Sequence, residues 1–350
     1  MTFLPQIDMT EVTRLTRAGQ LGEAMALLQG GRAKAPAPTL RPLTLPGFSG
    51  KLAGLLGRTG ITPAPTPIPS GARFEEHSFS NAEGRRAYKL YVPSGAAGRK
   101  LPLVIMLHGC TQSPDDFAAG TRMNELAEET GFLVAYPCQP QSANPQKCWN
   151  WFNPTDQGRD RGEPSLIAGI TRRIMAEHEV DPSSVYIAGL SAGGAAAAIM
   201  GATYPDLYAA IGVHSGLACG AARDIPSAFA AMRQGGTGDR GSKAPIPTIV
   251  FHGDSDTTVN PVNGDQVTAQ SRARADLRVT EESGISDGGT RFTRRIESDG
   301  SGAPLIEQWI LHGAGHAWSG GSATGSYTDP RGPDASREMM RFFLQHHLVA

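Results

Sequence analysis

The stretch Gly189-Leu190-Ser191-Ala192-Gly193 ends an apolar run, "SSVYIAG", and opens a run of small residues, "SAGGAAAAIMGATYP". A serine held between glycines where a strand turns sharply into a helix is either a helix cap or a nucleophile. The glycines permit the tight turn and leave the Oγ above the strand end. The same pattern recurs in "GISDG" (284–288) around Ser286, but no apolar strand precedes it and no helix follows. Context therefore selects Ser191. The amide of Ala192 is placed to donate to an oxyanion, and the helix start adds a favourable field.

A serine hydroxyl is a weak nucleophile near neutral pH, so it needs a base within reach and a group that orients that base. Both follow in chain order. "TIVFHGDSDTTV" carries Asp254 and Asp256 beyond an apolar run. Asp256 lies farther along the loop, where a carboxylate reaches an imidazole, whereas Asp254 sits where turn-forming aspartates are common. "WILHGAGHAWSGG" carries His316 in a glycine-rich loop, while His312 is still at a strand edge and His346 and His347 fall in the last helix. Ser191, His316 and Asp256 are thus read as nucleophile, base and orienting acid. A fourth run, "VIMLHGCTQSPDDF", ends in His108-Gly109-Cys110, where a second oxyanion donor is supplied in this architecture. The Cys110 amide is the candidate donor, and His108 is placed on the substrate side. Cys110 as a nucleophile is disfavoured, because nothing nearby would depress a thiol pKa. Trp149, Trp151 and Trp318 flank the inferred site, either as aromatic walls for an aryl ester or hydroxyacid chain, or as core.

The elements that must position these residues follow from periodicity. "RRAYKLYVP", "LPLVIMLHG", "FLVAYP", "SSVYIAG", "YAAIGVHSG", "PTIVFHG" and "IEQWILHG" read as strands. "PDDFAAGTRMNELAEETG", "SLIAGITRRIMAEHEV", "SAGGAAAAIMGATYP" and "DASREMMRFFLQHHL" read as helices, and "SRARADLR" as the solvated face of another. Short apolar strands alternating with helices predict an α/β fold, a mostly parallel sheet with helices on both faces. Functional groups then gather beyond the carboxyl ends of the strands. Residues 1–30 read as short helices, 31–72 as a proline-rich linker, and 73–350 as the domain that carries the site.

Lys plus Arg number 32 against 33 for Asp plus Glu, so there is no electrostatic signature for nucleic acid. The expected partner is a small or neutral molecule. No apolar run approaches the roughly 18 residues of a membrane span, and the N-terminus shows no standard secretory signal. The four cysteines, Cys110, Cys138, Cys148 and Cys219, have no zinc spacing, which leaves buried thiols or one or two disulfides. The chemistry inferred requires no metal and no organic cofactor.

"LPLVIMLHGCTQSPDDFAAGTRMNELAEETGFLVAYP", "CWNWF", "VDPSSVYIAGLSAGG", "YAAIGVHSG" and "GAGHAWSGG" together resemble the polyhydroxybutyrate depolymerase family of esterases. These are relatives of feruloyl and acetylxylan esterases in the α/β-hydrolase fold, and the resemblance spans roughly residues 73–345. It implies ester hydrolysis through Ser191, Asp256 and His316, on a poly- or oligo(3-hydroxyalkanoate), with feruloyl or acetylxylan esters as the alternative. A hydrolase-fold binding protein is the remote alternative; it would lack a triad member, and none is missing. The family pattern also implies export, extracellular or periplasmic, against the cytoplasm suggested by the N-terminus. It pairs Cys110 with Cys148, and the two additional cysteines, Cys138 and Cys219, make a second pair the hypothesis.

Overall fold

Ten strands form one sheet, in the order β1-β2-β4-β3-β5-β6-β7-β10-β9-β8. Its centre is parallel: β4 (Leu133–Pro137), β3 (Leu101–Leu107), β5 (Val180–Leu190), β6 (Ala210–His214), β7 (Thr248–Gly253) and β10 (Pro304–Leu311). Antiparallel pairs flank it, β1 (Arg73–Asn81) with β2 (Gly84–Val92) on one side and β9 (Arg291–Ser298) with β8 (Arg278–Ile285) on the other. This computed structural model describes residues 68–236, 245–272 and 276–348. The helices expected in 1–30, and most of the linker expected in 31–72, lie outside those residues.

The central strands read as unbroken apolar runs because helices cover both of their faces. Alternate residues divide between two cores, as the two-residue strand period requires. Leu103, Ile105 and Leu107 pack with Ile187 and Val213 under α3 (Gly162–Glu177), α4 (Ala192–Thr203), α5 (Ile225–Gln234) and α6 (Val262–Arg272). Val104 and Met106 face the other way, with Tyr186 and Phe251, against α1 (Pro114–Thr121), α2 (Met123–Thr130) and α7 (Ala335–Phe343).

Two expectations change here. The single helix expected over "PDDFAAGTRMNELAEETG" is two, broken at Arg122, whose backbone is left-handed with φ 57°. Ser336 Oγ donates to the Thr121 carbonyl at 2.6 Å and so occupies an acceptor that a continuous helix would use for its own ladder. "SRARADLR" is not simply a solvated helix face. The Arg272 side chain at the end of α6 donates to the buried Glu297 carboxylate, and Arg278 opens β8. The β8–β9 hairpin is rich in charge and lacks apolar alternation, and it forms the sheet edge.

Candidate active site

The carboxyl ends of β3, β5, β7 and β10 carry the predicted catalytic and oxyanion residues. Ser191, between β5 and α4, has φ 58° and ψ −119°. That region strains an L-residue by about 1–3 kcal/mol and persists only where the surroundings impose it. Here the Ser191 amide donates to the His214 carbonyl (2.9 Å), and its carbonyl accepts from Ala195 (2.9 Å). A Cβ on Gly193 would fall 2.0 Å from the Leu107 carbonyl oxygen, so only glycine lets the first turn of α4 rest on the end of β3. The Ser191 side chain makes no capping bond to α4. Its Oγ makes no hydrogen bond among the described residues, to His316 or otherwise; such bonds are often long without substrate.

His316, in the loop after β10, donates from Nδ1 to Asp256 Oδ2 at 2.7 Å. The Asp256 side chain is fully buried and that of His316 is 12 % exposed. Burial pushes the Asp256 carboxyl up, but the His316 bond and charge and the Val259 amide outweigh it and leave the pKa below the ordinary value. The other oxygen, Oδ1, accepts from the Thr258 and Val259 amides at 2.8 and 2.9 Å. An anion so placed holds the imidazole proton on Nδ1 and leaves Nε2 able to accept one. Asp254 has a histidine of its own: His312 Nδ1 lies 2.9 Å from Asp254 Oδ2, and the Gly313 amide donates to Oδ1 at 2.7 Å. Nothing in the sequence pattern revealed that second pair.

The Gly109–Cys110 turn lies against Ser191, since a Cβ on Gly109 would be 3.7 Å from the Ser191 Cβ. Neither the Cys110 nor the Ala192 amide donates to another group among the described residues. The turn is held by Gln112, a buried residue that the sequence did not single out. Its Oε1 accepts from the Gly109 amide (2.8 Å), and its Nε2 donates to Asp116 Oδ2 (2.9 Å) and the Ser326 carbonyl (3.0 Å). The Cys110–Cys148 disulfide is present, and it ties the turn to the segment that carries Trp149.

The four residues expected on the substrate side are placed as follows. His108 is buried, donates from Nδ1 to the Gly109 carbonyl and accepts at Nε2 from the Gln139 amide. Burial drives its pKa down to about 4, so it is a neutral brace behind the turn. Trp149 is wholly buried and donates to the His108 carbonyl at 3.1 Å. Trp318 donates to Ser336 Oγ and stacks on His214, while Trp151 packs edge-on against Phe152. All three tryptophans belong to the buried apolar clusters. Ser286 is a turn residue, its Oγ donating to the Arg331 carbonyl.

Cys138 and Cys219 are not bonded to each other. They follow β4 and β6, which β3 and β5 separate in the sheet. Three strand spacings come to roughly 14 Å, whereas a disulfide needs Cα atoms within about 7 Å. Two further buried histidines underlie the site. His214 Nε2 accepts from the Ser319 amide, and His252 Nε2 donates to the Val259 carbonyl with Asp256 Oδ2 3.6 Å away. Burial lowers the pKa of both. Among the described residues no group of three or more His, Cys, Asp or Glu is arranged to hold a metal ion, and no helix is long and apolar enough to cross a membrane.

A family model described as "Esterase PHB depolymerase" matches residues 86–279. The chain is similar to "Poly(3-hydroxyalkanoate) depolymerase C" of Paucimonas lemoignei, with 34% identity over 262 residues, 71% of this chain and 62% of that one. It thus spans less than two thirds of that relative's length. It is 28% identical over 249 residues to "Feruloyl esterase B" of Thermothelomyces thermophilus, covering 65% of this chain and 82% of that one. Among solved structures, the acetyl xylan esterase from Aspergillus awamori superposes with a TM-score of 0.60 at 20% identity, covering 77% of this chain and 99% of that one. A serine on a strained strand-to-helix corner after β5, a buried Asp–His pair after β7 and β10, and this match have one reading: the chain belongs to the esterase PHB depolymerase family, on an α/β-hydrolase fold.

Proposed function

We propose that the protein is a serine esterase that cleaves carboxylic esters by acyl transfer. Ser191 Oγ attacks the ester carbonyl while His316 Nε2 takes its proton, and Asp256 steadies the imidazolium that forms. The tetrahedral oxygen accepts from the Cys110 and Ala192 amides. Collapse expels the alcohol, which takes the proton back from His316. Water then attacks the acyl-enzyme, giving a proton to His316, and the acid leaves as Ser191 is restored. The observation that carries this reading is the buried Asp256–His316 pair, at strand ends of the same sheet as a serine whose strained corner leaves its Oγ uncommitted. An oligomer or polymer of 3-hydroxyalkanoate is the proposed substrate, supported by the name of the depolymerase relative.

Feruloyl esters are the second reading, favoured by the larger share of its own length that the feruloyl esterase relative has in common with this chain. The Cys110–Cys148 disulfide supports function outside the cytoplasm, in an oxidising compartment. The test is labelling by a serine-directed phosphonate with peptide mapping, followed by kcat/KM on hydroxyalkanoate oligomers, methyl ferulate and acetylated xylan. Adduct on Ser191 and a preference for the oligomers are expected. Absence of label on Ser191 removes the mechanism, and a preference for methyl ferulate moves the substrate to the second reading.

A further inference from the structure

The proposed machinery has a nucleophile, a base and two amides, but the tryptophans near it are buried and leave little apolar surface exposed. Among the described residues few large apolar side chains stand exposed, and Tyr327, at 47 %, is the one that touches both catalytic loops. Its carbonyl accepts from the Trp318 amide at 2.7 Å, two residues beyond His316. Its hydroxyl lies 3.4 Å from Thr111 Oγ1, next to Cys110. We infer that Tyr327, seated on Thr111 beside the Cys110 amide, determines specificity by packing its ring against the apolar body of an ester larger than an acetate. This rests on the esterase reading of Ser191.

Three features point the same way. Tyr327 has φ 53° and its neighbour Thr111 has φ 67°, both in the left-handed region that non-glycine residues rarely enter. Such strain persists where surrounding structure imposes it, and it clusters at functional sites. The imposing structure is present. The Ser326 amide donates to Asp116 Oδ1 at 2.9 Å, Gln112 Nε2 donates to the Ser326 carbonyl, and Thr328 Oγ1 donates to the Ser322 carbonyl at 2.8 Å. Gln112 also holds the Gly109 amide, so one side chain fixes both the turn behind Ser191 and the tyrosine loop. A rigid aromatic side chain left in water gains nothing from the fold by itself, but it binds an apolar ligand with little ordering cost. The residue type fits as well. A phenol offers an apolar face and a polar tip. Thr111 Oγ1 already donates to the Cys110 carbonyl, and its contact with Tyr327 is long, which leaves the phenol hydroxyl able to turn to an oxygen of the substrate.

The test compares Tyr327→Gly and Tyr327→Phe with the wild type on ethyl acetate, methyl ferulate and a 3-hydroxybutyrate trimer. Glycine accepts a positive φ, so Tyr327→Gly removes the ring while keeping the backbone. On the larger esters that the wild type cleaves, Tyr327→Gly is expected to lower kcat/KM about tenfold, mainly through KM. Ethyl acetate should change less than about twofold, and Tyr327→Phe, which keeps the ring and loses only the hydroxyl, should lose less than Tyr327→Gly on the larger esters. An equal loss on ethyl acetate would assign Tyr327 to positioning the Cys110 turn and overturn the inference, as would an unchanged rate on the larger esters. A wild type that cleaves no ester and takes no phosphonate on Ser191 would instead remove the esterase reading, and this inference with it.

Discussion

Two aspartates two residues apart each hold a histidine, and the completed hydrogen-bond chain belongs to the outer pair. Asp254 Oδ2 binds His312 Nδ1 at 2.9 Å, and His312 Nε2 lies 3.0 Å from Thr293 Oγ1, so acid, imidazole and hydroxyl are all joined. Asp256 and His316 are joined at 2.7 Å with Ser191 Oγ still unbonded. The surroundings differ more than the bonds do. Side-chain exposure is 40 and 35 % in the outer pair but 0 and 12 % in the inner one. Thr293 sits within β9, paired to β10 and β8 on either side, with no helix start beneath it. A hydroxyl–imidazole–carboxylate chain is therefore no sufficient mark of a catalytic site. Water weakens the charges of the outer chain.

The largest expected effect separates the two hydroxyls. Ser191→Ala should lower kcat by about 10⁶, whereas Thr293→Val should leave it within about twofold. Steady-state kinetics on one soluble ester decide it, and comparable losses would mean that the outer chain is the one in use. The next effect separates the acids. Asp256→Asn should keep the fold and KM but cost about 10⁴ in kcat by disturbing the imidazole tautomer, while Asp254→Asn should cost less than about tenfold. A large loss confined to Asp254→Asn would reverse the assignment, with thermal unfolding as the folding control.

The smallest effect is in stability against pH. The folded-state pKa of Asp256 lies below its ordinary value, so its contribution is fully present above about pH 4 and is lost as pH falls through the folded value. The Tm gap between wild type and Asp256→Asn should therefore narrow below about pH 4. Asp254 is also lowered, with its His312 and Gly313 bonds outweighing burial, but it is exposed. Its replacement should cost under about 1 kcal/mol at any pH. A gap for Asp254→Asn as large as that for Asp256→Asn would erase the contrast.

The strand ends were the most legible part of the molecule, because buried parallel strands are apolar without interruption and stop abruptly at their polar loops. That placed Ser191, Asp256 and His316 in loops on one edge of the sheet. The partner of Asp254 was not legible, since His312 sits on a strand edge where side-chain direction depends on register. Gln112 gave no signal, because a buried amide has no pattern of its own until the turn it holds is known. For the tryptophans the sequence left walls and core both open, because proximity along the chain to Cys148 and His316 says nothing of which way an indole faces. The strands β1, β8 and β9 were missed because charged and polar residues interrupt any apolar run in them, and a second disulfide failed on sheet order, which local text does not contain.

The backbone of Ser191 also has a thermodynamic consequence. A residue at φ 58° and ψ −119° burdens the native state by about 1–3 kcal/mol, a cost that glycine escapes. Glycine makes the unfolded chain more disordered, but that offsets only about 0.4–1 kcal/mol. Ser191→Gly should therefore melt above the wild type, by about 2–4 °C for each net kcal/mol in a domain of this size. A scan that placed it below would show that the corner is held without tension. Mutations selected for thermal robustness alone would then drift towards a dead protein, and the serine would persist only while its chemistry is in demand.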